Sequence, residues 1–145
     1  MQGKSASLMI NHAKPASPSL KAFIAGWVLT GLPSALLIFS GISKFIDNEG
    51  LREGFSHLGV PYDLARTIGA LELVSVAFLL FPRTAMLGAI LITGYMGGAI
   101  LTHLRIHEPV IVQSILPVVI WLGLYLREPR LRALAPWRTS ASRCP

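Results

Sequence analysis

Glu72 is the residue around which any chemistry in this chain has to be organised, because it stands in the middle of an apolar run from Leu64 to Phe81. An ionisable side chain near the centre of a bilayer costs about 3 kcal/mol or more, and carboxylates kept at that cost mark proton, ion or ligand sites. The side chains able to work with it are Lys44, Tyr95, His103 and Gln113. An ammonium would stabilise the anion, a phenol or an imidazole would pass a proton, and a carboxamide would bond a ligand. Glu72 is therefore the candidate catalytic residue, and Lys44, Glu72, Tyr95, His103 and Gln113 form the candidate ligand-binding set. Apolar neighbours such as Leu71, Leu73 and Val76 favour the neutral acid, unless Lys44 or His103 comes close enough to hold the anion. The competing reading is a glutamate that hydrogen-bonds across a helix bundle and only locks it together.

His103 and His107 form an i, i+4 pair that can share one helical face. No H-E-x-x-H motif accompanies them and Arg105 lies between, so no metal site is assigned. Cys144, the single cysteine, is next to last in the chain, which sets aside paired-thiol chemistry.

The elements that position these residues are written in composition. The 145 residues are 52% hydrophobic and 14% charged, with a mean hydropathy of +0.58, whereas soluble domains carry roughly 25% charge. Four apolar stretches stand out: Ala22 to Ser43, Leu64 to Phe81, Thr84 to Leu104 and Val110 to Leu126. A hydrocarbon layer of about 30 Å needs roughly 20 helical residues, so the expectation is an all-α membrane protein, a bundle of four transmembrane helices. Apolarity on every side, with no polar stripe, agrees with helices facing lipid or core. Pro82-Arg83 and Glu108-Pro109 leave room only for tight turns. Between the first two spans, Leu51, Phe55 and Leu58 recur at helical spacing among Arg52, Glu53 and Ser56, which predicts a short interfacial helix ended by Gly59 and Pro61. The chain divides into a polar N-terminal tail, 1–20, a membrane domain, 21–126, and a basic C-terminal tail, 127–145.

Charge sets the expected orientation. Lys4, Lys14, Lys21, Arg83, Arg127, Arg130, Arg132, Arg138 and Arg143 fall on the side of the termini, against Lys44, Arg52, Arg66 and Arg105 on the other. The positive-inside tendency then puts both termini in the cytoplasm. A formal charge of +6 without a recognition module points to anionic lipid head groups rather than nucleic acid. At about 1.5 Å per residue Glu72 lies roughly 12 Å below the exterior end of its helix. Ser40, Lys44, Thr67, Thr102, His103, Gln113 and Ser114 fall in the same exterior half, which argues for a pocket open outward or sideways and against a continuous pore. Pro117 frees the backbone carbonyl of Gln113. The G-x-x-x-G pair Gly94 and Gly98, with Gly97, predicts close packing of another helix on the third span.

Several short motifs resemble those of the DoxX-like family of small four-helix membrane proteins. They are Gly41-Ile42-Ser43-Lys44-Phe45, Phe55-Ser56-His57-Leu58-Gly59-Val60-Pro61, Gly69-Ala70-Leu71-Glu72-Leu73, and Met96-Gly97-Gly98-Ala99 followed by His103-Leu104. The resemblance runs from about Lys21 to Leu126, and order and spacing carry it. It implies a multi-pass protein of the bacterial inner membrane, of a family named for a subunit of a quinone-reducing thiosulfate oxidoreductase. Two function classes stay open. One is an accessory subunit or partner of a membrane redox system that holds a quinone or another lipid-soluble molecule near Glu72. The other is a small self-contained intramembrane enzyme or transporter in which Glu72 exchanges protons with Tyr95 or His103. Partners beyond the bilayer, an oxidoreductase subunit or a second copy of the chain, stay equally open.

Overall fold

The computed structural model of the chain describes residues 19–134, all helix and turn. The elements are α1 (Leu20–Ser43), α2 (Glu49–His57), a 3-10 turn (Tyr62–Leu64), α3 (Ala65–Leu80), α4 (Ala85–Leu104), α5 (Ile111–Arg127) and the short α6 (Pro129–Leu134). Each of the four apolar stretches becomes one helix, to within a few residues at either end.

The four long helices form a ring in the order α1, α3, α4, α5, each packed on its two neighbours. Ser40 and Lys44 at the end of α1 meet Glu72 of α3, while Arg127 at the end of α5 meets Trp27 near the start of α1, so successive long helices run in opposite senses. The core is aliphatic: Leu37, Val76, Leu79, Ile92, Met96, Ile120 and Leu124 are buried together. The outer surface is aliphatic too. Leu32, Leu36 and Phe39 of α1, Leu101 of α4, and Val112 and Val118 of α5 are all exposed. An apolar exterior on this scale is unstable in water and matches a lipid environment. Two helices, α1 with 24 residues and α4 with 20, are long and apolar enough to cross a membrane. Helices α3 and α5 have 16 and 17 residues, or about 24–26 Å of rise.

Close backbone approach depends on glycine where α1 meets its neighbours. A Cβ on Gly69 would stand 2.8 Å from the carbonyl oxygen of Gly41, and one on Gly123 would stand 2.9 Å from that of Gly26. The predicted pair Gly94 and Gly98, with Gly97, does not serve this purpose. Among the described residues, no other element lies within 4 Å of a Cβ placed at any of the three. The motif permits close approach, but within this chain α4 turns that face outward.

Arg127, placed by the sequence reading at the start of the basic tail 127–145, is part of the helix bundle. It completes α5 and is 7% exposed. Its guanidinium lies 4.2 Å from the centroid of the Trp27 ring and donates to the Leu79 carbonyl at 2.8 Å, near the carboxyl end of α3, where the helix dipole favours a cation. Its other terminal nitrogen, Nη1, is buried with no hydrogen-bond partner among the described residues. The basic residues from Arg138 onward, Trp137 and Cys144 lie outside the described residues.

Helix α2 forms as expected, with Asn48 accepting from the Leu51 amide at its start. Phe55 is its buried anchor. Gly59, at φ 63°, closes it in the left-handed conformation that glycine adopts without strain.

Candidate functional site

Helix geometry brings the site together. Ser40 and Lys44 are four residues apart and share one face of the last turn of α1. The contact between Gly41 and Gly69 draws that turn against α3, with Glu72 three residues further on. The ammonium of Lys44 donates to Glu72 Oε2 at 2.8 Å, to Ser40 Oγ at 2.7 Å and to the Ser40 carbonyl at 3.2 Å, so all three of its protons are engaged. Ser40 Oγ in turn donates to Glu72 Oε2 at 3.3 Å. A serine hydroxyl thus bridges the two charges.

Burial is uneven across the pair. The side chain of Glu72 is 2% exposed and that of Lys44 11%. Tyr95 of α4 packs on the aliphatic core, and its hydroxyl interacts with the Glu72 carboxylate. The site therefore holds one carboxylate faced by an ammonium, a serine hydroxyl and a phenol, with Val76, Ile92 and Met96 buried on the core side. Glu72 is held by a cation, the exception that the sequence reading allowed to a neutral acid.

The remaining candidates fall elsewhere. His103 Nδ1 bonds the Ala99 carbonyl at 2.8 Å, and its Nε2 lies 3.8 Å from Glu108 Oε2. Glu108 also meets His57 Nε2 at 2.8 Å, and Arg105 donates to the Leu58 carbonyl at 2.6 Å. These contacts form a clasp that fastens the end of α2 to the turn between α4 and α5. Gln113, near the start of α5, has its Oε1 buried without a partner and makes no hydrogen bond to the Lys44–Glu72 pair.

Beside Lys44, on the same end of the bundle, is a cavity of about 380 Å³ bounded by the start of α2 and the 3-10 turn. Here Arg52 grips Asp47 with two bonds, at 2.8 and 2.6 Å, while the Tyr62 hydroxyl donates to Asp47 at 2.9 Å. Arg52 also lies 4.5 Å from the centroid of the Tyr62 ring. The Arg52 hydrogen bonds, followed by that of Tyr62, hold the Asp47 carboxyl below the usual carboxylate range. Asp47 holds the proton on Arg52 more firmly in return, and partial burial, then the Asp47 bond, push the Tyr62 phenol up. Sequence reasoning placed Arg52 on the interfacial helix and did not join it to Asp47 or Tyr62. The separation of Asp47 and Arg52 by one helical turn across the Asn48 cap was the signal available. Among the described residues no group of three or more His, Cys, Asp or Glu is placed to hold a metal ion.

An apolar helical ring with a lipid-suited surface and a charge pair held between its helices fits a membrane protein. A family model, that of the DoxX-like family, matches residues 28–126, and the chain belongs to that family. No curated protein and no solved structure matches it.

Proposed function

We propose that the chain is an accessory subunit or partner of a membrane redox system, and that it holds a quinone or similar lipid-soluble carbonyl compound beside Glu72. In this reading α1, α3, α4 and α5 all cross the bacterial inner membrane, with both termini in the cytoplasm. The observation that supports it is the set of Lys44, Ser40 and Tyr95 gathered on the buried Glu72. The Tyr95 phenol is a donor that a carbonyl oxygen can use, Lys44 becomes a second one by exchanging one of its bonds to Ser40, and both stand next to a carboxylate able to return a proton to either. A bound quinone would supply the electron-accepting chemistry, with electrons arriving from the redox partner. The residues of this chain would orient the carbonyl, keep water away and move the proton between Lys44, Tyr95 and Glu72.

The self-contained enzyme or transporter reading draws on the same carboxylate. It would gain most from a carboxylate and an imidazole in contact, but His103 is bonded to Ala99 and faces Glu108.

Native mass spectrometry of the chain extracted with its lipids tests the proposal. The expected result is a neutral carbonyl compound retained by the wild type and lost from Glu72→Gln, together with an oxidoreductase partner recovered in mild detergent. A wild-type chain that carries no such compound, or a Glu72→Gln chain that carries as much of it, would overturn the ligand assignment.

A further inference from the structure

The cavity beside Lys44 has a charge balance that identifies what it can hold. It is lined by Lys44, Asp47, Arg52, Asp63 and Arg66 together with Phe45, Tyr62 and Ala65. Three of these five charges are already committed. Lys44 is spent on Glu72 and Ser40, while Asp47 and Arg52 are spent on each other. That leaves one anion and one cation, Asp63 on the 3-10 turn and Arg66 on the first turn of α3. Both are exposed, and among the described residues neither side chain makes a hydrogen bond or an ion pair, although the Arg66 charge is felt at Asp47 across the cavity. Two opposite charges bordering one cavity without joining are complementary to a ligand that carries one of each.

We infer that this cavity binds a small zwitterion, a primary ammonium and an anionic phosphate or carboxylate group held a few bonds apart. The ammonium sits on the Asp63 carboxylate, and the anionic oxygens take two parallel bonds from the Arg66 guanidinium. The volume suits such a ligand, since small-molecule sites begin at about 300 Å³. The surroundings suit an attached acyl chain as well. Phe45 in the lining, its neighbour Ile46, and Leu64 between Asp63 and Ala65 are all exposed apolar side chains. An aminophospholipid head group and a free zwitterion in solution share this chemistry. Lys44 borders this cavity too, but the residues that hold the zwitterion, Asp63 and Arg66, lie outside the Lys44–Glu72 pair and do not depend on a ligand there.

The test uses the full chain in detergent micelles with added lipid, and native mass spectrometry counts what is retained. Phosphatidylethanolamine should be retained about tenfold over phosphatidylglycerol, which lacks the ammonium, a ratio typical of one charge-assisted hydrogen bond. Asp63→Asn should remove that preference, and Arg66→Gln should lower retention of both lipids. Because both residues are exposed, helix content by circular dichroism should stay unchanged in each variant. Soluble glycerophosphoethanolamine that displaces the lipid at millimolar concentration would establish the free zwitterion as sufficient. Displacement failing while the preference persists would establish the lipid as the ligand. Equal retention of the two lipids by the wild type, or a preference that survives in the Asp63→Asn, Arg66→Gln double variant, would overturn the assignment.

Discussion

Removing the ammonium from the Lys44–Glu72 pair should be more damaging than removing the carboxylate, because the two partners are buried to different degrees. In Lys44→Met, Glu72 keeps only Ser40 Oγ at 3.3 Å and the Tyr95 hydroxyl, in a site 2% exposed. Breaking a buried pair from one side costs about 3–5 kcal/mol. In Glu72→Gln, by contrast, Lys44 keeps its bonds to Ser40 at 2.7 and 3.2 Å, borders the polar cavity, and meets a carboxamide oxygen in place of the carboxylate. The expected loss there is about 1–2 kcal/mol, the scale of a weakened charge-assisted bond. The Lys44→Met, Glu72→Gln double variant leaves no buried charge, so it should recover most of the Lys44→Met loss. Equilibrium unfolding in mixed micelles, followed by circular dichroism, gives all four corners of the cycle. Additivity within about 0.5 kcal/mol would mean the two groups do not interact, and the account of the site would fail.

Other parts of the fold carry predictions of their own. Gly69→Val should destabilise the bundle by about 1–3 kcal/mol in the same unfolding assay, because its side chain would meet the Gly41 carbonyl oxygen; a neutral effect would mean α1 and α3 can separate freely. The Asp47 carboxyl is held below its ordinary value by Arg52 and Tyr62, so the stability it confers is present above about pH 4 and is lost as pH falls through the lower folded value. Asp47→Asn should therefore differ from wild type at pH 6, by faster amide exchange at the start of α2, and match it once Asp47 is protonated. Glu108→Gln should loosen the turn at Leu58 and Gly59 without disturbing the long helices, which hydrogen exchange resolves segment by segment; exchange unchanged at that turn would show that the clasp does not hold it. Truncation after Arg132 should leave assembly intact, since Arg127, the buried member of that basic segment, is retained.

The four long helices were legible because each apolar run is longer than a turn can use and is bounded by proline or charge. Glu72 was legible for the same reason in reverse, as the one acid within those runs. Lys44 and Tyr95 were legible as partners by depth alone. What sequence spacing did not reveal is which way a side chain turns once a nearer partner is offered. His103 sits at a suitable depth, but the carbonyl of Ala99, one turn back on its own helix, takes its ring nitrogen. Arg127 follows the last apolar run directly and reads as tail. Its burial depends on Trp27, roughly 100 residues away, and on the space left by Gly26 and Gly123. The glycines of α4 show that a G-x-x-x-G spacing specifies a smooth face and says nothing of who uses it.

The contact of Arg127 with Trp27 and Leu79 also bears on the order in which the protein is made. Helix α1 leaves the ribosome first, while α5, a neighbour against which it packs directly, arrives last. At about 5–20 residues per second, the first helix waits roughly 5–20 s for the arginine that covers its tryptophan. The hairpin of α3 and α4 can close during that interval, because its turn is local. A nascent chain stalled before α5 would therefore hold a paired hairpin beside an unclosed first helix, with the glycine seam along Gly26 and Thr30 open to any passing helix. Closure by the last helix makes completion of synthesis the step that removes α1 from the pool of available partners.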